Sequence, residues 1–177
     1  MDLRIQRTKR NIYNAFIELR AKKPLEKITI TELSELAFIN KATFYTHYQD
    51  IYDLSEQLEN EAIITVLNDI PNPQNLVLNP KQAVFELHTA IISQGALFGI
   101  LFSGSRQHVF LEKIEKNLKA RIYEYFPEYK NNLEKEVLLS VLIQGCFRTF
   151  LAYEKEDAKE MLHILGDIND CLMQQYR

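Results

Sequence analysis

The chain has 177 residues, 46% of them hydrophobic, with five glycines and five prolines. It is long enough to build a core in one or two domains and too poor in Gly and Pro for a long low-complexity segment. Net charge is −3, but residues 1–27 hold eight basic and three acidic side chains, a surplus of +5 that leaves −8 for the rest. A basic head on an acidic body predicts a polyanionic partner for the head alone. The charged opening, MDLRIQRTKRN, predicts no signal peptide. No stretch approaches the ~20 apolar residues of a membrane span. A cytoplasmic protein without a membrane partner is therefore expected.

Apolar residues recur with helical spacing almost throughout. In 4–22, Ile5, Ile12, Phe16 and Leu19 form one stripe, with Tyr13 beside it. KKP at 22–24 closes that helix, because Pro disfavours helical geometry in the residue before it. Thr29 and Glu32 have the spacing of a capping box and open a short helix carrying Leu33, Leu36 and Ala37. FIN at 38–40 interrupts it, and Asn40 can cap a second short helix over 41–47. Asp50 can cap a long helix to about Ile70. PNPQNLVLNP at 71–80 holds three of the five prolines and is the clearest boundary. Further helices are expected at 81–94, 96–103, 106–126, 132–154 and 157–175. Ser105 is a candidate cap for the third of these, Pro127 its stop, and EKED at 154–157 the last turn. No segment alternates long enough for a sheet. The expected fold is all-α: an N-terminal three-helix head at 1–48 joined to a helical body at 49–177.

Two short helices across a brief break describe a helix-turn-helix, whose DNA-binding form lays its second helix in the major groove. Residues four apart share a helix face. Phe44 and Tyr48 can thus join Leu33, Leu36 and Ala37 in a small core, while Lys41, Ala42, Tyr45 and Thr46 point elsewhere. A tyrosine without a core partner can bond a phosphate or pack on a sugar or thymine methyl, and Lys41 can meet guanine or phosphate. Thr29 is a helix cap first, but a helix N-terminus also attracts anions. Arg4, Arg7, Lys9 and Arg10 are candidates for phosphate or minor-groove contact.

ITITELSELAFINKATFYTHYQDIYDL, preceded by the basic first helix, resembles the TetR/AcrR family of bacterial transcriptional regulators. The likeness spans about residues 5–58, with Thr29, Leu33, Ala37, Ile39, Asn40, Thr43, Phe44, Tyr45, His47, Tyr48 and Leu54 at the family's spacing. It implies DNA contacts at Thr29, Asn40, Lys41, Ala42, Thr43, Tyr45, Thr46 and His47, with Arg4, Arg7 and Lys9 from the first helix. It also implies a regulator, repressor or activator, that binds a palindromic operator as a homodimer and is released by a small-molecule effector. Two positions depart from the pattern. Phe38 stands where the family usually has the glycine that tolerates positive φ, so the turn either avoids that geometry or carries strain. Ile51 stands where relatives usually place a phosphate-binding lysine.

Helix 132–154 is apolar on more than one face, and helix 157–175 carries its own apolar stripe. This surplus, with the resemblance, predicts a two-fold homodimer through a four-helix bundle. Its interface residues are Leu138, Leu142, Gly145, Met161, Leu165 and Ile168, with Gly145 permitting close helix approach. Helices over 81–126 would surround an effector pocket, offering Phe85, His88, Ile92, Phe98, Phe102, Phe110 and Tyr123 as lining, each with core packing as the competing role. His88, His108 and His163 lack metal-ligand spacing, and Cys146 and Cys171 form no metal or redox motif. No nucleophile and base converge in the pattern. No metal, cofactor or catalysis is therefore expected. A second class stays open: an all-α sensing or interaction protein whose head binds another protein instead of DNA.

Overall fold

The computed structural model describes residues 3–153 and 156–176, and among these every regular element is helical. The helices are α1 (Leu3–Arg20), α2 (Ile30–Leu36), α3 (Lys41–Tyr45), α4 (Ile51–Asn68), α5 (Asn75–Leu78), α6 (Pro80–Ser93), α7 (Ala96–Leu101), α8 (Gln107–Tyr125), α9 (Leu133–Ala152) and α10 (Ala158–Tyr176). Short 3₁₀ turns lie at Leu25–Lys27, Gly104–Arg106 and Pro127–Tyr129. No described helix is long and apolar enough to cross a membrane. The turn expected at 154–157 lies partly outside the described residues.

The chain divides into two compact units: Met1–Ala62 with Gly95–Gln107, and Ile63–Gln94 with His108–Arg177. The first turns of α4 and the 95–107 segment, expected from the sequence in the body, thus fall in the first unit.

In the first unit, α1 buries Ile12, Ala15, Phe16 and Leu19, whereas Ile5 is exposed, so the buried stripe begins later than its period suggested. Thr29 caps α2 by accepting a hydrogen bond from the Glu32 N–H at 3.3 Å. The return half of the capping box is replaced: the Glu32 carboxylate takes a hydrogen bond from Lys23 Nζ. Asn40 caps α3, which ends at Tyr45, two residues before the expected stop. Asp50 caps α4 as expected, with its Oδ1 accepting from the N–H groups of Tyr52 and Asp53 at 2.8 Å each. Leu25, Ile28, Leu33, Ala37, Phe44, Leu54, Leu58, Leu101 and Phe102 complete the core of this unit.

In the second unit, α5 is a single helical turn inside the proline-rich 71–80 stretch, where none was expected. Pro80 opens α6 at a position where its missing N–H has no helical partner to lose, and Asn79 caps it. Ser105 does not cap α8; its hydroxyl donates to Glu26 Oε1 at 2.8 Å within the first unit. Helices α6 and α10 approach closely at Gly166, where a Cβ would stand 2.9 Å from Lys81 Cγ and 3.3 Å from its Cα. Gly145, expected at the dimer interface, makes no close approach within this chain and is exposed with open space around it. Val84, Cys146, Leu162 and Leu165 pack as a buried cluster with Phe85, Phe150 and Met161 against it.

Candidate nucleic-acid interface

Helix α3 has two faces because of how it is anchored. Asn40 Oδ1 accepts from the Thr43 N–H at 2.7 Å and from its hydroxyl at 2.8 Å, which fixes the helix start. Phe44 is then fully buried, and its ring lies 5.6 Å from that of buried Tyr48. Burial, with Glu61 and Asp53 adding to it, raises the Tyr48 phenol above its ordinary pKa, so the neutral form is retained. On the other side Lys41, Ala42, Tyr45 and Thr46 are exposed, and Thr43 and His47 are half-buried. Tyr45 is 55% exposed yet braced, its ring edge-on to Phe44 at 5.6 Å. Thr46 Oγ1 donates to the Thr43 carbonyl at 2.6 Å, so that hydroxyl keeps accepting capacity outward.

Of the eight basic residues in 1–27, seven sort into two groups, and the eighth, Lys27, is exposed at the end of the first 3₁₀ turn. Arg4, Arg7, Lys9 and Arg10 are exposed along the first half of α1, and Thr29 is exposed at the start of α2. Arg20 is buried, Lys22 pairs with Glu18 at 2.7 Å, and Lys23 pairs with Glu32. The surplus charge is thus concentrated on α1 before Asn11, whose Nδ2 donates to the Ala37 carbonyl at 3.4 Å. That bond holds α1 to the turn between α2 and α3.

The turn itself carries strain. Ile39 N–H donates to the Ser34 carbonyl at 3.0 Å and Phe38 N–H to the Glu35 carbonyl at 3.2 Å, the paired bonds of a Schellman helix end. That motif places its next residue in the left-handed region, and Phe38 is there with φ of 56°. For a residue with a Cβ this conformation costs roughly 1–2 kcal/mol. The Phe38 ring gains little in return, being 91% exposed. The other departure resolves differently: Ile51 is buried at the first position of α4, where a lysine's charge would have to be desolvated.

Behind these faces lies a polar clasp that sequence pattern did not reveal. Glu59 on α4 is fully buried, and its carboxylate accepts from Ser55 Oγ at 2.9 Å and bidentately from Arg106 Nε at 2.8 Å and Nη2 at 2.6 Å. The Glu59 bond raises the Arg106 pKa. Arg20 donates to the carbonyls of Lys23, Ile100 and Leu101 at 3.1, 3.1 and 3.3 Å and to Ser103 Oγ at 3.1 Å. Its burial lowers its pKa, while Glu26 and Glu59 oppose the shift. A carboxylate on the buried side of α4, beside Leu54, Ser55 and Leu58, was the available signal, since such a group requires a cation. Nothing in the spacing named Arg106 as that cation.

The candidate effector-lining residues divide. Phe98 and Phe102 belong to the first unit, Ile92 is exposed, and Phe110 packs edge-on against Phe147 at 5.0 Å. A wider cleft of about 440 Å³ is lined by Gln82, Phe85, Glu86 and Thr89 among others, and a small cavity of about 20 Å³ by Val84, Leu87, Leu142, Ile143 and Phe150 among others. Asn169 at its edge donates to Cys146 Sγ at 3.1 Å. His88 lies beside Phe150, 5.0 Å between rings, and its burial lowers its pKa.

The expected dimer residues also divide. Leu138, Leu142 and Leu165 are buried in this chain's own packing, because α9 and α10 need them for the core. Ile168 is exposed, as are Leu133, Val137, Val141 and Ile164, and Met161 is half-buried. The apolar surface of α9 is therefore offset by about one residue from the one expected.

Among the described residues no group of three His, Cys, Asp or Glu side chains is placed to hold a metal ion. In comparisons with known proteins, no family model matches the chain and no curated protein matches it significantly.

Proposed function

We propose that this chain is a sequence-specific DNA-binding transcriptional regulator, a repressor that binds a palindromic operator as a homodimer. One observation carries this proposal. Helix α3 and the turn that follows it hide Phe44 and Tyr48 and expose Lys41, Ala42, Tyr45 and Thr46, in a head that also exposes Arg4, Arg7, Lys9 and Arg10. A short rigid helix with polar, cationic and aromatic groups on its free face suits a major groove, and the α1 cations suit phosphates. The TetR/AcrR resemblance of residues 5–58 supports the same assignment and places α2 and α3 as its helix-turn-helix. The exposed apolar residues of α9 and α10 suit a two-fold bundle with a second copy, which would present two heads to a palindrome.

Release by a small-molecule effector is a further part of this reading. The cavity of about 20 Å³ holds one water, but the cleft of about 440 Å³ beside Phe85, Glu86 and Thr89 falls within the about 300–1,000 Å³ of small-molecule sites. An effector would act by binding one of two head spacings of the dimer better than the other, which is how a ligand shifts a two-state equilibrium.

The test is selection of duplexes from a random-sequence pool by the full-length protein, followed by titration over a range of salt. A palindromic consensus, preferred over random duplex and with a steep salt dependence from phosphate contacts, is the expected result. Absence of any preference, even at low salt, overturns the proposal and leaves a protein-binding head as the alternative.

A further inference from the structure

We infer that the Phe38 ring is an additional DNA contact, packing on a deoxyribose of the operator backbone beside the groove entered by α3. The inference rests on the function proposed above. Phe38 has two unfavourable features, a left-handed backbone and a ring 91% exposed to water. Glycine would remove both, and the Schellman bonds of Ile39 and Phe38 use only backbone, so the turn does not require the ring. Among the described residues the ring stacks on no other aromatic side chain.

Its surroundings indicate what it meets. Asn11 ties the α1 segment bearing Arg7, Lys9 and Arg10 to Ala37, the residue before Phe38. Asn40 and Lys41, at the start of α3, follow within three residues, a reach of about 10 Å at most. The ring therefore lies between a cationic helix and the first turn of the recognition helix. A polyanion held by both would bring its sugar faces to the ring. An apolar partner protein would find no extended apolar patch here, since the exposed neighbours are Glu35, Asn40 and Lys41. A sugar contact carries no sequence information and no charge.

That gives the contact a signature. The full-length protein and its Phe38→Gly, Phe38→Ala, Phe38→Tyr and Lys41→Ala variants are titrated with the duplex that the wild type selects from a random pool and with a random duplex, at several salt concentrations. Phe38→Gly and Phe38→Ala are expected to weaken both complexes about tenfold, the scale of burying most of one aromatic ring. Phe38→Tyr keeps the ring and is expected to bind as the wild type does. The slope of affinity against salt is unchanged in the Phe38 series, whereas Lys41→Ala lowers it by about one phosphate contact. Phe38→Gly should melt no lower than the wild type, which separates a lost contact from a damaged head. If the wild type binds and both Phe38→Gly and Phe38→Ala bind equally well, the inference is overturned while the proposed function stands. Loss at the selected duplex alone also overturns it, since that would be base reading. If the wild type binds neither duplex, both fall.

Discussion

Phe44 and Tyr45 are adjacent in sequence and opposite in environment, so paired substitutions test the face assignment directly. Phe44→Ala should cost about 3–5 kcal/mol, because a fully buried ring leaves a cavity. Tyr45→Ala should cost about 0.5–1.5 kcal/mol, the worth of its edge-on contact with Phe44, and on the proposed function should also weaken duplex binding. Denaturant unfolding of the full chain measures the first difference and duplex titration the second; equal destabilisation by the two changes would undo the face assignment. This division was legible in the sequence, since residues four apart must share a face of α3. The conformation of Phe38 was legible only as two alternatives, and the backbone bonds from Ile39 and Phe38 decide between them. The burial of Arg20 was not legible at all. Its partners are mainly carbonyl oxygens, some of them eighty or so residues away, and carbonyls leave no pattern in a sequence.

At the scale of elements, caps and stops were readable where a side chain of the right type stands beside the break. Asn40 and Asp50 cap as expected. Ser105 and Glu32 were misassigned because each has a better partner, Glu26 and Lys23 respectively, that only the tertiary fold supplies. The turn of α5 was hidden by the prolines around it. The clasp joining α4 to Arg106 makes an asymmetric prediction. The Glu59 side chain is 0% exposed and that of Arg106 21%, so an orphaned carboxylate has less access to water than an orphaned guanidinium. Arg106→Ala should therefore destabilise by about 3–5 kcal/mol and Glu59→Gln by less, in equilibrium unfolding of the full chain. A larger loss for Glu59→Gln would show that hydration does not set the cost.

For the molecule as a whole, the apolar surplus on α9 and α10 was legible, but its phase was not, because a helix apolar on every side has no face marked by polarity. The structure uses Leu138, Leu142 and Leu165 inside and leaves Val137, Val141, Ile164 and Ile168 outside. Val141→Glu should thus halve the mass measured by light scattering with little change in protomer stability. Leu142→Ala should do the reverse, costing about 2–5 kcal/mol as a core truncation. A Val141→Glu protein that keeps the wild-type mass, or a monomeric wild type, would exclude this face as the dimer contact.

The first unit takes its residues from two separate stretches of chain, 1–62 and 95–107. During synthesis, then, the head is chemically incomplete when its own helices have emerged. Glu59 lacks Arg106, and Arg20 lacks the carbonyls of Ile100 and Leu101 and the Ser103 hydroxyl, until the 95–107 segment follows, about 45 residues later. At about 5–20 residues per second this is an interval of a few seconds. A nascent chain therefore should not present a finished first unit until residues 63–94 of the second unit have been made, and a gene truncated after residue 62 should yield a head that does not fold.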